Sequence, residues 1–533
     1  MSKLTILKRS TNQARGLADY AANFISSNQK IDAKVLERLK LFHTDSVVCG
    51  VSALALKTNA PTILRSEALT YHRIPQDYKV PRLYRSKVFG SKEWVQSEKA
   101  IVANCSAVRE WDSNGTVFGY NKNIPGHQAG EFGHNDFYPV AIAASHTKSL
   151  SGATALKGML LIDEIRGRLA EVFSLKSYKI DHVVHGAIAS AITYGTLIGA
   201  SPLEIEHAVG MVVAHYIPFR AIRAGKQLSD SKGASAAIST EVAIMSVHRA
   251  MNGFIGPKDI FRNPEAIFRY FEKTKGDAPF DIALGFEGDD FSVMGMHFKL
   301  GLYEHQSAGA LEGVIQLIKN HPKICEGGVS AIKNIEITAY EPAFGIIGDP
   351  AKKEPKTRQS ADHSMVFIVS RLLKKGMENQ EALKKLKNLD DFWKNLILTP
   401  DDYSHKAVFC KETKNLMNKM TFVHGGKEYD SKYPEGIPTK VDVTLNSGEK
   451  FSSGLIMFPS GHANNKTCDL KGILNNKNKI LLKLAQPDTY KTEDFIKKLN
   501  SIENLDAIAM ENIYDFDISY SKHSVDSEEY NHH

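Results

Sequence analysis

Acid/base chemistry on an anion is the reading that the reactive residues of this 533-residue chain suggest, because histidine, lysine, arginine and aspartate gather in polar loops beside apolar helices. The richest such stretch is 110–138, EWDSNGTVFGYNKNIPGHQAGEFGHNDFY, which carries Asp112, Thr116 and His134. Its glycines and asparagines make a poor helix or strand. Long irregular connections are often functional, and a surface loop capped by Asx turns is the competing reading. A second stretch, Asp181-His182-Val183-Val184-His185, precedes an apolar run. Asp181 suits an N-cap there. His182 then falls in the first helical turn, where amide dipoles keep an imidazole neutral, as a general base must be. Residues 220–233, RAIRAGKQLSDSKG, interleave Arg220, Arg223, Lys226 and Lys232 with glycine before a helix. Cations in that setting suit a carboxylate or phosphate, although exposed loop lysines are commonly just solvated. HFKLGLYEHQS at 297–307 adds Lys299 and His305, and Asp362-His363-Ser364 reads as one more helix cap.

Other chemistries lack their signatures. GEFG at 130–133 has neither the spacing nor the setting of a phosphate loop, HExxH is absent, and Gly186 to Gly195 contains no G-x-S-x-G. The five cysteines are scattered without a CxxC, so no zinc finger, iron–sulfur cluster or disulfide framework is expected, and no metal or other cofactor. A net charge of +7 is spread along the chain, with Lys and Arg mixed among Asp and Glu even at 371–394. This pattern argues against nucleic acid as a partner, while a modest positive excess helps to draw in a polyanionic small molecule. The apolar stretches 183–200 and 208–217 contain His, Gly, Thr and Tyr and read as buried helices rather than membrane spans. MSKLTILKRSTNQAR lacks an apolar signal core. It reads as the frayed start of a cytoplasmic protein, with a short mitochondrial matrix address as the alternative.

Two kinds of element must position these groups. Residues 1–297 are mostly helical in pattern, with Asp32 capping a helix over 32–48 and further helices over 151–172, 183–200, 203–217 and 234–251. From 298 the character changes: 332–340 alternates like a strand, and 440–457 reads as strand, Asn-Ser-Gly-Glu turn, strand. With helices over 361–375 and 379–396, residues 298–458 form a smaller α+β domain beside a large all-helical one. Residues 459–533 return to helix, at 468–485 and 493–508, and end in an acidic tail expected to be disordered from about 522.

Several of these segments resemble the MmgE/PrpD family, to which 2-methylcitrate dehydratases belong and cis-aconitate decarboxylase is related. The matching segments are Arg109-Glu110-Trp111-Asp112-Ser113-Asn114-Gly115-Thr116, Gly133-His134, Asp181-His182-Val183-Val184, the small-residue helix after Lys232-Gly233, Phe298-Lys299 with His305-Gln306-Ser307, Ala361-Asp362-His363-Ser364, and Phe458-Pro459-Ser460-Gly461-His462. They follow the family's order along nearly the whole chain. GYN and GEFGHNDFYP are similar to its eukaryotic-style branch. The resemblance implies a helical domain that includes the returning C-terminal segment, an α+β lid, a homodimer, and an active site in the cleft between domain and lid. It implies a lyase that dehydrates 2-methylcitrate to 2-methyl-cis-aconitate in propionate catabolism without a cofactor, the alternative being cis-aconitate decarboxylation or another lyase or isomerase reaction on a related polycarboxylate. By position it makes His134, His182, Lys299 and His305 catalytic and gives Asp112, Thr116, Arg223, Lys226 and Lys232 to the tricarboxylate. Two departures stand out. His134-Asn135-Asp136 replaces a common His-Pro, and the family's second lysine aligns near Leu228, which leaves Lys226 or Lys232 to supply that charge. No clear equivalent of the decarboxylase's tyrosine follows the first lid strand, which favours dehydration.

Overall fold

A computed structural model describes residues 3–72, 84–223, 227–275 and 280–527. Helices build most of the first half: α1 (Gln13–Ser26), α2 (Ala33–Ala55), α3 (Asn59–Leu69), α4 (Ser97–Arg109), α5 (Tyr138–Lys148), α6 (Gly152–Val172), α7 (Val183–Ile198), α8 (Pro202–His215) and α9 (Ser231–Met251). Their starts are fixed locally. Asp32 accepts the Lys34 N–H at 3.0 Å, Ser151 caps α6 through Thr154, and Ser201 with Glu204 closes a capping box on α8. The sequence VVHGAIASAITYGTLI makes α7 nearly all apolar or small, so it is buried along almost its whole length among α5, α6, α8 and α9. Gly186 shows why small residues matter there, since a Cβ would stand 2.0 Å from the Phe137 ring.

The first half is not purely helical. Lys3–Leu7 forms a strand antiparallel to Ile282–Glu287, so the expected frayed start is paired. Asp281 accepts the Arg9 N–H at 2.7 Å and Tyr20 Oη donates to the Gly285 carbonyl, which pins this pair onto α1. The 110–138 stretch, expected to be irregular, contains a short antiparallel pair, Thr116–Phe118 with Phe132–His134.

Beyond residue 298 a four-stranded sheet appears. Ile332–Ala339 lies between Thr439–Leu445, antiparallel, and Met420–His424, parallel, and Lys450–Ser452 extends the edge. The hairpin turn at 446–449 forms as expected, with Gly448 at φ +91°. The helix Ala308–Asn320 packs on Thr439–Leu445 of this sheet, and Met365–Glu378 packs on Ala308–Asn320. The helix expected over 379–396 is broken into Gln380–Leu383 and Leu389–Leu396, because Asn388 starts the second by accepting the Asp391 N–H at 2.8 Å.

The chain then returns to α2. Lys477 of the helix Leu470–Ala485 is fully buried and meets Asp45 of α2 at 2.7 Å while donating to the carbonyls of Ser113 (2.7 Å) and Lys299 (2.9 Å). The tail is pinned as far as residue 527: Val525 N–H donates to the Leu56 carbonyl, and buried Asp526 pairs with Arg358, which also grips Glu110. The expected disorder therefore does not begin at 522. No single helix among the described residues is long and apolar enough to cross a membrane.

Candidate active site

Three elements converge on one cleft. The 116–118/132–134 hairpin puts Thr116 directly opposite His134 in register. The start of α7 supplies His182, and the stretch 304–363 closes the far side. The His134 and His182 rings, 7 % and 5 % exposed, stand with centroids 5.4 Å apart. His363 lines the same cleft. Arg220, Arg223 and Lys352 bring positive charge, Phe118, Phe132, Ile346 and Ile347 bring apolar wall, and Glu304 is the one carboxylic acid among the lining residues. Nine of the thirteen lining residues are polar or titratable, a lining that suits a charged small molecule. A larger cavity, ≈ 390 Å³, is lined in part by Val117 and Phe118 of the hairpin, but Glu171, Asp289, Asp290 and Glu435 outnumber Arg168 and Lys122 around it. That lining repels a polyanion.

Burial pushes the histidines towards the neutral form. His134 lies well below the ordinary imidazole range because it is desolvated and faces the cations Arg109 and Lys299. His182 is lowered by burial and by Arg223, against the opposing pull of Asp181. His363 is pushed down to about 3, by burial first and then by Lys232. Its Nδ1 lies 2.7 Å from Asp362 Oδ1 and 3.2 Å from Asp112 Oδ2, so Nε2 is the nitrogen left for another partner.

Behind these rings sits a buried ion network. Asp112, held at φ +49° just past the end of α4, takes an ion pair from Arg109 and accepts from Lys299 Nζ at 2.5 Å. Burial alone would raise its pKa, but Arg109 and Lys299 outweigh this and hold it well below the usual carboxylate range. Lys299 Nζ also donates to the Asp112 carbonyl at 2.7 Å. Lys232 donates to Asp362 Oδ1 at 2.6 Å and to the Gln359 carbonyl at 3.3 Å. Arg223 meets Asp181 Oδ2 at 2.5 Å.

Of the residues singled out in the sequence, Thr116, His134, His182 and Arg223 line the cleft together. Asp112, Lys232 and Lys299 stand one layer back, in the network that holds His363. His305 is elsewhere: it is fully buried, neither ring nitrogen has a hydrogen-bond partner, and it stacks on His297 at 5.0 Å, which stacks on His462 at 4.0 Å. Lys226 lies outside the described residues. A tyrosine does follow the first strand of the four-stranded sheet, Tyr340, but it stacks on Tyr433 at 4.8 Å and does not line the cleft.

Sequence reasoning missed Glu304 and Lys352 and gave His363 only a capping role. The Glu-His order at 304–305 was the available signal, and it was read for the histidine alone. Asp112, Asp362 and His363 offer three ligand atoms within 4.8 Å of one another. Because Lys299 and Lys232 already occupy the two carboxylates, a metal ion there would have to displace both ammonium groups.

The comparisons with known proteins agree on one family. Over 470 residues the chain is 20% identical to the alkylcitrate dehydratase of a fungal species, covering 83% of each chain. Over 463 residues it is 21% identical to the probable 2-methylcitrate dehydratase of Saccharomyces cerevisiae, covering 83% of this chain and 80% of that one. Residues 15–278 match the family model described as the MmgE/PrpD N-terminal domain. With the hairpin and the start of α7 inside that match, and relatives aligned along most of the length, the chain belongs to the MmgE/PrpD family.

Proposed function

We propose that the protein is a dehydratase of citrate-type tricarboxylates, with 2-methylcitrate as its substrate and 2-methyl-cis-aconitate as its product. The observation that carries this reading is a pair of buried neutral imidazoles, His134 and His182, facing a cleft that also holds Arg220, Arg223 and Lys352. Dehydration removes a weakly acidic proton beside a carboxylate and expels hydroxide from the neighbouring carbon. A neutral imidazole accepts the proton, and such a positioned transfer contributes about 10²–10⁴-fold. The guanidinium and ammonium groups bind the carboxylates and offset the charge that develops on the one next to the carbanion-like centre. In this reading Lys226, outside the described residues, is a further candidate to bind a carboxylate, Lys232 holds Asp362 beside His363, and Thr116 orients a carboxylate or hydroxyl. Asp112 and Lys299 hold His363 and the hairpin in place.

The reaction as written needs no metal or organic cofactor. Residues 298–458 act as a lid that excludes water, and the working form is a homodimer with twice the 59.0 kDa chain mass. The name of the yeast relative, a probable 2-methylcitrate dehydratase, supports the substrate choice.

Purified protein treated with chelator and given 2-methylcitrate, citrate or cis-aconitate tests this directly. The expected result is an ultraviolet absorbance rise from a new conjugated double bond with 2-methylcitrate, no CO₂ from cis-aconitate, and the same rate before and after chelation. His134→Ala and His182→Ala are each expected to cut turnover at least about 100-fold with the fold intact. Wild-type turnover in both variants would remove the acid/base assignment, and CO₂ release would move the protein to decarboxylation.

A further inference from the structure

We propose that Glu304 is the catalytic acid that protonates the departing hydroxyl, an inference that rests on the dehydratase reading above. Its place in the fold is set by its own turn. Glu304 precedes the short 3₁₀ turn His305–Ser307, accepts the Gln306 N–H on Oε2 at 2.7 Å, and donates its own N–H to the Asp362 carbonyl at 3.0 Å. The side chain is thereby fixed at the wall of the cleft that His134 and His182 also line. Among the described residues no cation forms an ion pair with it, whereas each other carboxylate around the site has one: Asp112 with Arg109 and Lys299, Asp181 with Arg223, Asp362 with Lys232.

That contrast decides its protonation state. Asp112, Asp181 and Asp362 are held as anions. Glu304 is pushed up to about 7, by burial first and by the negative charge of Asp112 next, with Lys299 and Lys352 pulling the other way. Its remaining titratable neighbours, Tyr340 and Tyr433, are themselves raised and uncharged. A tricarboxylate entering the cleft adds more negative charge, which favours the protonated carboxyl further. An ionised carboxylate in a polyanion site would only repel; a protonated one donates a hydrogen bond. The rival donors are poorly suited. The three cleft imidazoles are neutral, and the Lys299 ammonium points at Asp112 and its carbonyl. Lys352, which burial lowers from the ordinary ammonium range, is needed as a cation against the substrate's carboxylates, whose charge favours its keeping the proton.

The step balances without a further reactant. A histidine takes the proton from carbon, that C–H electron pair becomes the new double bond, the C–O bond breaks with its electrons, and the Glu304 O–H proton joins the leaving oxygen to give water. The products are the unsaturated tricarboxylate, imidazolium and Glu304 carboxylate, and proton return from solvent resets the pair.

Glu304→Gln keeps the shape and removes the acid. With 2-methylcitrate its kcat is expected to fall at least about 100-fold with KM within about threefold, and the loss of wild-type rate above about pH 7 is expected to be absent. An analogue carrying fluorine in place of the departing hydroxyl separates chemistry from structure, because fluoride leaves without a proton. Fluoride release, read with an electrode, should be within about threefold of wild type in Glu304→Gln. Glu304→Asp, which retains an acid with a shorter reach, should keep the alkaline limb at a reduced rate and serves if the Gln variant has a lowered melting temperature. Equal losses on the two substrates, or a Gln variant that dehydrates 2-methylcitrate at the wild-type rate, overturn the role of Glu304. Wild-type protein that eliminates neither water nor fluoride overturns the dehydratase reading instead.

Discussion

Asp112 shows how much of the site's chemistry is decided away from the cleft surface. It touches Arg109, Lys299 and His363 at once, so its charge compensates two buried cations and orients an imidazole. Asp112→Asn leaves Lys299 without its anion and Arg109 with only the longer 3.8 Å contact to Asp136, and breaking a buried pair in this way costs about 3–5 kcal/mol. Urea denaturation at pH 7 should show that loss, together with a fall in turnover of at least about tenfold from misoriented His363. The pH dependence has a definite sign. Because the folded pKa of Asp112 is depressed, its stabilisation is complete above about pH 4 and is lost as pH falls through the folded value, so the gap between wild type and variant should narrow only below about pH 4. At this scale the sequence was informative about residue type and poor about direction. His134 and His182 were legible from polar loops ahead of apolar runs. His305 looked equivalent, yet the 3₁₀ turn at 305–307 points it into a stack with His297 and leaves Glu304 on the cleft side. Nothing in the spacing of adjacent residues distinguishes those two outcomes.

Among the elements, the long helices were readable because burial of one face imposes a 3.6-residue period and their caps are written locally, as at Asp32, Ser151 and Ser201. The hairpin that carries Thr116 and His134 was not. Its strands are three residues each, too short for an alternating pattern, and the glycines between and within them resemble loop sequence. The Lys3–Leu7 strand was hidden for another reason: its partner lies some 280 residues away, so its stability comes from pairing rather than from local preference. Gly461 in the Phe458–His462 motif gives an element-scale prediction. It sits at φ +89°, its carbonyl accepts the Phe298 N–H at 2.9 Å, and a Cβ would stand 2.4 Å from the Phe298 carbonyl. Gly461→Ala therefore meets both backbone strain, about 1–3 kcal/mol, and a backbone clash next to Lys299. A lower melting temperature accompanied by a drop in kcat is the expected result, and an unchanged pair of values would show that this contact does not set the position of Lys299.

For the molecule as a whole, neutral buried histidines dominate the response to acid. His134, His182, His363, His297, His305 and His462 all have folded pKa values below their ordinary one, chiefly through desolvation. An unfolded chain protonates them near pH 6.5, whereas the folded chain does not. Stability is thus fully present above about pH 6.5 and falls as pH drops below it, with each imidazole contributing up to about 1.36 kcal/mol per pH unit. Melting temperatures measured from pH 8 to pH 5 should be level at first and then decline steeply; a flat profile down to pH 5 would mean that these rings are solvated. The strands Ile332–Ala339 and Thr439–Leu445 and the later helix Leu470–Ala485 were visible as changes in period and polarity. The tail was not, because an acidic segment reads as solvated until a buried cation such as Arg358 is found waiting for Asp526.

Lys477 carries a consequence in time. Its ammonium is the counter-charge of Asp45 and the donor to the carbonyls of Ser113 and Lys299, so it ties together three segments that leave the ribosome well before it, the nearest by 178 residues. Until residue 477 has been made and has emerged, α2 holds a carboxylate with no cation to meet it, and the backbone on either side of the cleft lacks a shared donor. During synthesis the helical half can collapse early, but its reactive centre has to wait for the returning helix, which makes assembly of the site a late and concerted event.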